Sequence, residues 1–347
     1  MYEYVGNIHF HTTASDGTAT IEEAVAAAER VGLDFIIPTD HNVYLPGLDG
    51  WYGKVLLLVG EEVHDPAAEH PGNHYLVFDA EEEMSQFASD PQVLIDEVRL
   101  RGGFGFLAHP FERAAERFGE HAIPWRDWQV TGYAGISIWN YMSEFKAHLT
   151  SVPAALRAAY FPQCMIRGPF PETLAKWDEL LQTRRMPAIG TSDAHGITYK
   201  LGPLRRQLFP YEYLFRTVNY HALSEKPFTG ELDHDKRIVY GAMQGGRGFI
   251  AYDLLGDARG FHVTARAGDQ EVGVGGTVSL TSDVLFEISS PIKARLRVIL
   301  NGEMVDWAYT TRMRHRTRLG GVYRIEAQRL IGLRWRNWVY TNPIYVE

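Results

Sequence analysis

The chain has 347 residues, 45% of them hydrophobic and 22% charged, which is typical of a globular protein and excludes extended disorder. No apolar run approaches the ~20 residues of a membrane-spanning helix, and the N-terminal residues lack the features of a signal peptide. Residues 1–255 carry 21 Lys and Arg against 34 Asp and Glu (net −13), whereas residues 256–347 carry 13 against 9 (net +4). This acidic surplus argues against nucleic-acid binding. The single cysteine, Cys164, favours a cytoplasmic location.

The segments up to about residue 255 alternate short apolar runs with helical patterns, which predicts an α/β fold with largely parallel strands. Thr20 and Glu23 form a predicted capping box, and Gly32 is a predicted helix stop. Asp90 is a predicted N-cap. Helices are predicted at 20–32, 90–103 and 171–185, and strands at 3–10, 33–42, 54–63, 74–78, 104–110, 135–140 and 186–196.

The pattern changes near residue 256. Segments 211–223 and 233–246 are predicted as helices that bridge the two parts of the chain. The remaining segments alternate polar and apolar residues between Gly, Asn and Asp turns and show no helical period. The sequence therefore predicts two domains, residues 1–255 and a small antiparallel β-sandwich at residues 256–347.

Histidines and carboxylates cluster where the predicted strands end. His9 and His11 are two residues apart on a strand, so both imidazoles face the same side and can reach one metal ion. C-terminal strand ends are where the active sites of parallel α/β barrels assemble. Imidazoles and carboxylates without cysteine suit Zn, Mn or Fe. The further candidates are Asp16, Asp40, His41, Glu62, His74, His109, Asp193 and His195.

These motifs, "HFHTTASDG", "TDHN", "GEEV", "NHYL", "AHP" and "GTSDAHG" in this order, resemble the metal-binding motifs of the PHP (polymerase and histidinol phosphatase) superfamily. The resemblance spans roughly residues 7–196. It implies a distorted (β/α)7 barrel with two or three divalent metal ions, and it favours Glu62 over Glu61. The implied ligand sets are His9, His11, Glu62 and Asp193 for one metal; Glu62, His74 and His109 for the second; and Asp16, His41 and His195 for the third. Many members have a histidine where this chain has Asp16.

The later segments resemble a PHP branch that includes carbaryl hydrolase-like proteins with a C-terminal β-domain. Two metals sharing a carboxylate would activate a bridging hydroxide for hydrolysis. Asp40 is predicted to orient a ligand histidine or to shuttle a proton, with a turn cap as the alternative. Arg113, Arg167 and the pair Arg205–Arg206 are candidates to clamp a phosphate, and Arg205 is preferred because it closely follows the Asp193–His195 loop.

Three enzymatic functions stay open, together with a non-catalytic one. A phosphoesterase acting on a small phosphorylated molecule comes first, because PHP relatives mostly cleave phosphoesters. A hydrolase of esters, amides or carbamates comes second. Arginines in the pocket would favour the first, and an apolar pocket would favour the second. An exonuclease is opposed by the charge of −13, and a metal-dependent binding module is the non-catalytic alternative. The sequence does not determine the oligomeric state.

Overall fold

The computed structural model describes residues 1–201 and 204–347, with the backbone alone at 198–201 and 204–206. Within this part of the chain the α-helices are α1 (Ile21–Val31), α2 (Pro91–Leu100), α3 (Tyr141–Ala147), α4 (Val152–Tyr160), α5 (Pro162–Met165), α6 (Pro171–Leu181), α7 (Tyr211–Leu214) and α8 (Leu232–Gln244). Short 3₁₀ helices lie at Ser85–Phe87, Glu116–Phe118 and Asp253–Leu255. None of the helices in the described ranges combines the length and apolar character needed to cross a membrane.

The strands of the described residues fall into a first and a second half. The first comprises β1 (Tyr2–Asn7), β2 (Phe35–Ile36), β3 (Gly50–Tyr52), β4 (Val55–Leu57), β5 (Gly60–Val63), β6 (Tyr75–Phe78), β7 (Phe104–Leu107), β8 (Gly135–Asn140), β9 (Ala188–Thr191), β10 (Thr198–Leu201) and β11 (Leu204–Gln207). The second comprises β12 (Val218–Ser224), β13 (Gly248–Tyr252), β14 (His262–Ala267), β15 (Gln270–Gly273), β16 (Thr277–Val278), β17 (Val284–Leu300), β18 (Glu303–Thr317), β19 (Gly321–Ile331), β20 (Arg334–Thr341) and β21 (Ile344–Val346).

Local sequence signals explain several of the helix ends. The Thr20 side chain accepts a hydrogen bond from the Glu23 N–H, and the Glu23 side chain accepts one from the Thr20 N–H, so the predicted capping box of α1 is confirmed. Gly32 ends α1 with a φ of 78°, which glycine adopts without strain. Asp90 caps α2 through the N–H groups of Gln92 and Val93, as predicted.

The fold is α/β with mixed sheets. A large sheet follows the order β15-β14-β17-β19-β20-β13-β12-β1-β2-β4-β3, and a five-stranded sheet follows β5-β6-β7-β8-β9. The prediction of largely parallel strands is only partly correct. β1–β2, β2–β4, β7–β8 and β8–β9 are parallel, whereas β5–β6, β6–β7, β1–β12 and β12–β13 are antiparallel. A parallel pair needs a crossover connection, and the chain between β5 and β6 contains no helix to supply one.

The predicted helix at 211–223 is wrong over most of its length. Only α7 (Tyr211–Leu214) is helical, and Val218–Ser224 forms β12, which pairs with β1 on one side and β13 on the other. Six consecutive residues of β12 are buried. A strand that is buried on both faces loses the alternation that identifies strands in a sequence. The predicted helix at 233–246 is confirmed as α8.

The C-terminal segments are strands, as predicted, and nearly all of their pairings are antiparallel. They are continuous with the large sheet, because β20 pairs with β13 in the register Phe249↔Thr341 to Ala251↔Val339. Backbone hydrogen bonds therefore cross the predicted boundary at residue 255. The division into two domains and the β-sandwich stay predictions.

Two isolated bridges join the large sheet to the five-stranded sheet. Phe10, beyond the end of β1, bridges Ala194, beyond the end of β9, and His41, beyond β2, bridges Glu62 of β5. Both bridges are parallel. They lie among the predicted metal ligands, so the seam between the sheets is also the place where those side chains meet.

Candidate metal centre

His9 and His11 lie on opposite sides of the Phe10 bridge, in a chain segment that stays extended beyond β1. The His11 N–H donates to the Ala194 carbonyl at 2.9 Å, and the Asp193 N–H donates to the His9 carbonyl at 2.9 Å. Both histidines are fully buried. Their Nε2 atoms lie 3.2 Å apart, as strand alternation predicts for side chains that share one face.

Glu62 lies at the centre of the cluster, and its two oxygens face different histidines. Oε2 is 3.2 Å from Nε2 of His9, 3.2 Å from Nε2 of His11 and 3.2 Å from Nδ1 of His41. Oε1 is 2.9 Å from Nδ1 of His74 and 2.9 Å from Nε2 of His109. A carboxylate in this position can be shared between two cations.

The neighbouring Glu61 is equally buried but points to the other side of β5. One of its oxygens, Oε2, accepts a hydrogen bond from the Met84 N–H at 2.9 Å. Burial raises the pKa of Glu61 to about 7, although the hydrogen bond from Met84 opposes this shift. The structure thus places Glu62, and not Glu61, among the histidines.

Four possible metal-ligand atoms from three chain segments lie close together. His9 Nε2 is 3.4 Å from Asp193 Oδ1, and His11 Nε2 is 3.2 Å from the same oxygen. Nε2 of His9, Nε2 of His11, Oε2 of Glu62 and Oδ1 of Asp193 are separated by six distances. The five that involve a histidine nitrogen measure 3.2–3.4 Å. A tetrahedron with metal–ligand bonds of about 2.0–2.1 Å has edges of about 3.3–3.4 Å. The five distances therefore have the length expected between ligands of one divalent cation.

The protonation chemistry supports the same conclusion. His9 Nε2 faces three polar atoms, and a single ring N–H can point at only one of them. The buried Oδ1 atom of Asp193 lies 3.2–3.4 Å from Nε2 of His9 and His11, but neither contact has the geometry of a hydrogen bond. Burial lowers the pKa of His41 to about 3, so this ring is neutral and has a lone pair for a cation.

The carboxylates of the cluster are ionised. Burial opposes the charge of Glu62, but His9, His74, His41 and His109 outweigh burial and hold the pKa of Glu62 well below its usual value. Conversely, Asp193 and Glu62 outweigh the burial of His11 and raise the pKa of its ring to about 10. These mutual shifts show a strong field among the groups, and a bound cation would take the place of the ring protons.

Asp16 and His195 form the outer part of the cluster. Asp16 Oδ1 is 3.3 Å from His195 Nε2 and 3.7 Å from His11 Nδ1, and Asp16 Oδ2 is 3.8 Å from His41 Nε2. The Asp16 side chain is 56% exposed. Two of the three distances around Asp16 are therefore longer than those among His9, His11, Glu62 and Asp193, and Asp16 is more open to solvent.

Among the side chains that the structure describes, five sets lie close enough to share a cation, with their ligand atoms within 4.8 Å of one another. The structure brings together all nine residues that the resemblance implies as ligands. The sets are His9, His11 and Asp193; Glu62, His74 and His109; His11, Asp16, His41 and His195; His41, His64 and His74; and His109, Glu112 and Asp193. The assignment of individual ligands stays a prediction.

Asp40 fixes the loop that carries Asp16. Its carboxylate accepts hydrogen bonds from the Thr12 N–H at 2.7 Å, the Thr12 hydroxyl at 2.7 Å and the Ser15 hydroxyl at 2.6 Å. Its hydrogen bonds within the described residues thus go to a turn and not to a histidine ring, which agrees with the alternative of a turn cap. A proton-shuttle role for Asp40 stays a prediction.

Two residues of the cluster have left-handed backbone conformations. The φ angles are 56° at Asp193 and 26° at His109. Such conformations cost about 1–3 kcal/mol in non-glycine residues and concentrate at functional sites. At Asp193 the strained backbone is accompanied by a side-chain anchor, because Asn140 Nδ2 donates to Asp193 Oδ2 at 2.9 Å.

The cluster opens into a cavity of about 270 Å³. Its described lining contains five acidic residues, three histidines, five apolar residues and one cation, Lys146. Lys146 Nζ donates to Glu112 Oε1 at 2.5 Å and to the His121 carbonyl at 2.7 Å. The remaining lining residues are Asp16, His41, Glu62, His109, Glu120, Ile123, Met142, Ser143, Phe145, Leu149, Asp193, His195 and Ile197.

The arginine candidates do not line this cavity in the described part of the chain. Arg113 pairs with Glu172 on the surface, at 2.9 Å, and Arg167 is absent from the lining. Arg205 belongs to β11, but its side chain lies outside the described residues. Its role as a phosphate clamp stays a prediction.

Sequence reasoning missed Glu112, Asn140 and Lys146. Glu112 follows His109 by three residues, and its Oε2 atom lies 3.8 Å from Nδ1 of that ring. Its closeness to a predicted ligand in the motif "AHPFE" could have identified it from the sequence. Asn140 ends β8 and caps α3 through the Ser143 N–H. The residues around Lys146 in the sequence do not indicate that it lines the cavity, because its position depends on how α3 packs.

Of the known proteins compared with this chain, only solved structures match it. No protein-family model matches the chain, and no curated protein matches it. Solved structures give matches.

One match is a two-domain protein from Bacteroides vulgatus containing a predicted PHP-like metal-dependent phosphoesterase; it is 16% identical, covers 99% of this chain and 95% of that one, and has a TM-score of 0.44. A putative metal-dependent phosphoesterase from Bifidobacterium adolescentis is 17% identical over 57% of this chain and 91% of its own, with a TM-score of 0.35. An amidohydrolase from Chromobacterium violaceum, with bound sulfate and no metal, is 12% identical over 57% and 92%, with a TM-score of 0.29.

Proposed function

We propose that this protein is a metal-dependent hydrolase that cleaves a phosphoester of a small molecule. The observation that carries the proposal is the close approach of His9 and His11 to each other, to Glu62 and to Asp193, at distances of 3.2–3.4 Å between possible metal ligands. Glu62 and Asp193 of this group line a cavity of about 270 Å³, a size that suits a small molecule and no larger ligand.

The chain's own residues would hold two or three divalent cations, Zn, Mn or Fe. Glu62 would be shared, with His9, His11 and Asp193 on one side and His74 and His109 on the other; Asp16, His41 and His195 would hold the third. Bound cations of this kind lower the pKa of a shared water towards ~7 and stabilise negative charge on the substrate. Asn140 would hold Asp193 in place, and Asp40 would hold the loop of Asp16.

A fold of the proposed kind accounts for the convergence. Strands β1, β2 and β5–β9 form a ring if the Phe10–Ala194 and His41–Glu62 bridges are counted as its two seams. We propose that this ring is a distorted seven-stranded barrel, followed by the C-terminal β-sandwich. The ligand-bearing strand ends would then share one edge of the barrel.

Charge favours a small substrate over a nucleic acid. The described cavity lining holds five carboxylates and a single lysine, and that lysine is already paired with Glu112. A phosphodiester backbone needs a row of cations, which this lining does not supply. A single phosphoryl group needs only the bound metals.

A hydrolase of carboxylic esters, amides or carbamates is the second candidate. The observation that favours it is the cavity wall, where the described residues include five apolar side chains and no arginine. Such a wall suits a substrate whose reacting group is neutral.

One experiment tests the proposed function and separates the two candidates. A single preparation is analysed for metal content and screened against phosphomonoesters, phosphodiesters and aryl esters, before and after chelation and after addition of Mn²⁺ or Zn²⁺. We expect phosphoester hydrolysis that chelation abolishes and metal restores. Activity indifferent to chelators and to His9→Ala would refute metal-dependent hydrolysis, and activity on aryl esters alone would select the second candidate.

A further inference from the structure

One wall of the cavity is apolar, and most of it comes from a single helix. Met142, Phe145 and Leu149 line the cavity and are spaced three and four residues apart, so they lie on one face of α3 and of the turn that follows it. The Leu149 N–H donates to the Lys146 carbonyl at 3.0 Å, which continues the helical path. Ile123 and Ile197 complete the apolar lining.

This wall has a fixed position relative to the metal centre. Asn140 Oδ1 accepts a hydrogen bond from the Ser143 N–H at 2.9 Å and so begins α3. The same side chain donates from Nδ2 to Asp193 Oδ2 at 2.9 Å. One asparagine therefore links the apolar helix face to a predicted metal ligand, and a molecule that contacts both meets them in a defined geometry.

The apolar side chains are not fully covered by the protein. Phe145 is buried against Phe209, with ring centroids 4.8 Å apart, but Met142 and Leu149 are half-buried and Ile197 is 37% exposed. Met142, Leu149 and Ile197 line the same cavity as Glu62 and Asp193. Apolar surface beside a cluster of charged groups is typical of a binding site whose ligand covers it.

We propose that Met142, Phe145, Leu149, Ile123 and Ile197 form a subsite for the organic group of the substrate, and that this group is apolar, such as an aryl or branched alkyl group. The proposal rests on the proposed function, since the reacting end of the substrate would lie at the metal centre. Polyols and sugar phosphates would leave this wall uncovered and would be poor substrates.

The test compares ligands that share a reacting group and differ in the organic group. The probes are 1-naphthylmethylphosphonate and methylphosphonate, which are not hydrolysed, and their binding to the metal-loaded protein is measured by calorimetry. The substrates are 1-naphthyl phosphate and glycerol 3-phosphate, with 1-naphthyl acetate and methyl acetate as the carboxylic ester pair. Met142→Gln and Leu149→Gln keep the side-chain volume and make the wall polar. Leu174→Gln is the matched control, because Leu174 is a half-buried leucine of α6 outside the cavity lining.

We expect the naphthyl phosphonate to bind at least about tenfold more tightly than methylphosphonate, since small apolar groups in a fitted pocket contribute about 10–200-fold. Met142→Gln and Leu149→Gln should each reduce that preference about tenfold, and should lower the naphthyl-to-glycerol ratio of kcat/KM by the same factor. Leu174→Gln should change neither. Metal content should be equal in all four proteins.

The outcomes separate the subsite from the proposed function. Equal binding of the two phosphonates by the wild type, or a preference that both wall variants retain, would overturn the subsite even if the enzyme hydrolyses phosphoesters. A preference that the wall variants abolish would support the subsite even if no substrate is hydrolysed, and the proposed function would then fail alone. Hydrolysis of the naphthyl acetate instead of the phosphate would keep the subsite and select the second candidate function.

Discussion

Replacing Glu62 by glutamine should remove metal from more than one position at once. The substitution keeps the shape of the side chain and removes the charge that five histidine rings approach at 2.9–3.2 Å. Loss of a residue that merely supports a ligand lowers metal affinity about 10–100-fold. Loss of a shared ligand should therefore lower the affinity of both adjacent positions by at least about 100-fold, or about 2.7 kcal/mol each.

Glu61→Gln is the matched control for this experiment. Glu61 is the adjacent residue, is equally buried and carries the same functional group, but it points away from the histidines and accepts a hydrogen bond from Met84. Each variant is loaded with Zn²⁺ or Mn²⁺ and dialysed, and the metal-to-protein ratio is measured. Circular dichroism verifies that each variant is folded.

We expect Glu62→Gln to lose about two equivalents of metal and its hydrolytic activity, and Glu61→Gln to keep the wild-type ratio. Two results would refute the reasoning. If Glu62→Gln folds and keeps all of its metal, Glu62 is not a shared ligand. If Glu61→Gln loses as much metal, the loss reflects a general disturbance of β5.

Three further predictions concern single residues. Burial lowers the pKa of His221, but Asp253 and Glu3 outweigh burial and raise this pKa to about 9, above the ordinary 6.5. The charged ring should therefore contribute on the order of 3 kcal/mol to the free energy of unfolding below pH ~6.5, and this contribution should be lost between pH ~6.5 and ~9. Urea unfolding across this range should show that slope, and a His221→Gln variant with an unchanged slope would contradict it. Asp40→Asn should lower stability by about 1–3 kcal/mol, since the amide cannot accept from all three donors, while the metal held by Glu62 is retained; loss of all metal would show that Asp40 does more than hold the loop. Asp16→Asn should lower the metal-to-protein ratio by one equivalent, and an unchanged ratio would remove Asp16 from the ligand set.

Much of the site geometry could be predicted because it depends on local strand alternation. His9 and His11 share a face for that reason. The choice of Glu62 over Glu61 came instead from the family resemblance, and in the structure the two side chains have different partners. The order of the motifs along the chain added the rest of the cluster. What alternation cannot provide is the distance between strands, so the spacing between the His9–His11 pair and Asp193 became visible only in the structure.

The errors have equally physical causes. The residues of β12 were predicted as a helix because burial on both faces removes the alternating pattern. The apolar wall from α3 was missed because a half-buried methionine or leucine has the same sequence pattern whether it faces a core or a cavity. For Asp40 the sequence left two roles open, a partner of a ligand histidine and a turn cap, and its carboxylate accepts hydrogen bonds from Thr12 and Ser15; a carboxylate at a strand end can serve either role.

The charge of the cavity connects the two proposals. Without cations, its described walls carry five carboxylates against Lys146, which Glu112 already binds, and His109, whose pKa Glu62 and Glu112 raise to about 9 against the effect of burial. The carboxylates still outnumber these cationic groups, so an anionic substrate would be repelled. Two or three bound divalent cations would make the charge at the metal centre positive, and they would leave the apolar wall from α3 unchanged. Recognition of the reacting group would then depend on metal, whereas recognition of the organic group would not. A naphthyl ligand without an anionic group, such as 1-naphthol, should therefore keep most of its affinity after chelation, while methylphosphonate should lose its affinity. Equal metal dependence of the two ligands would show that the wall and the metal centre do not form separate parts of one site.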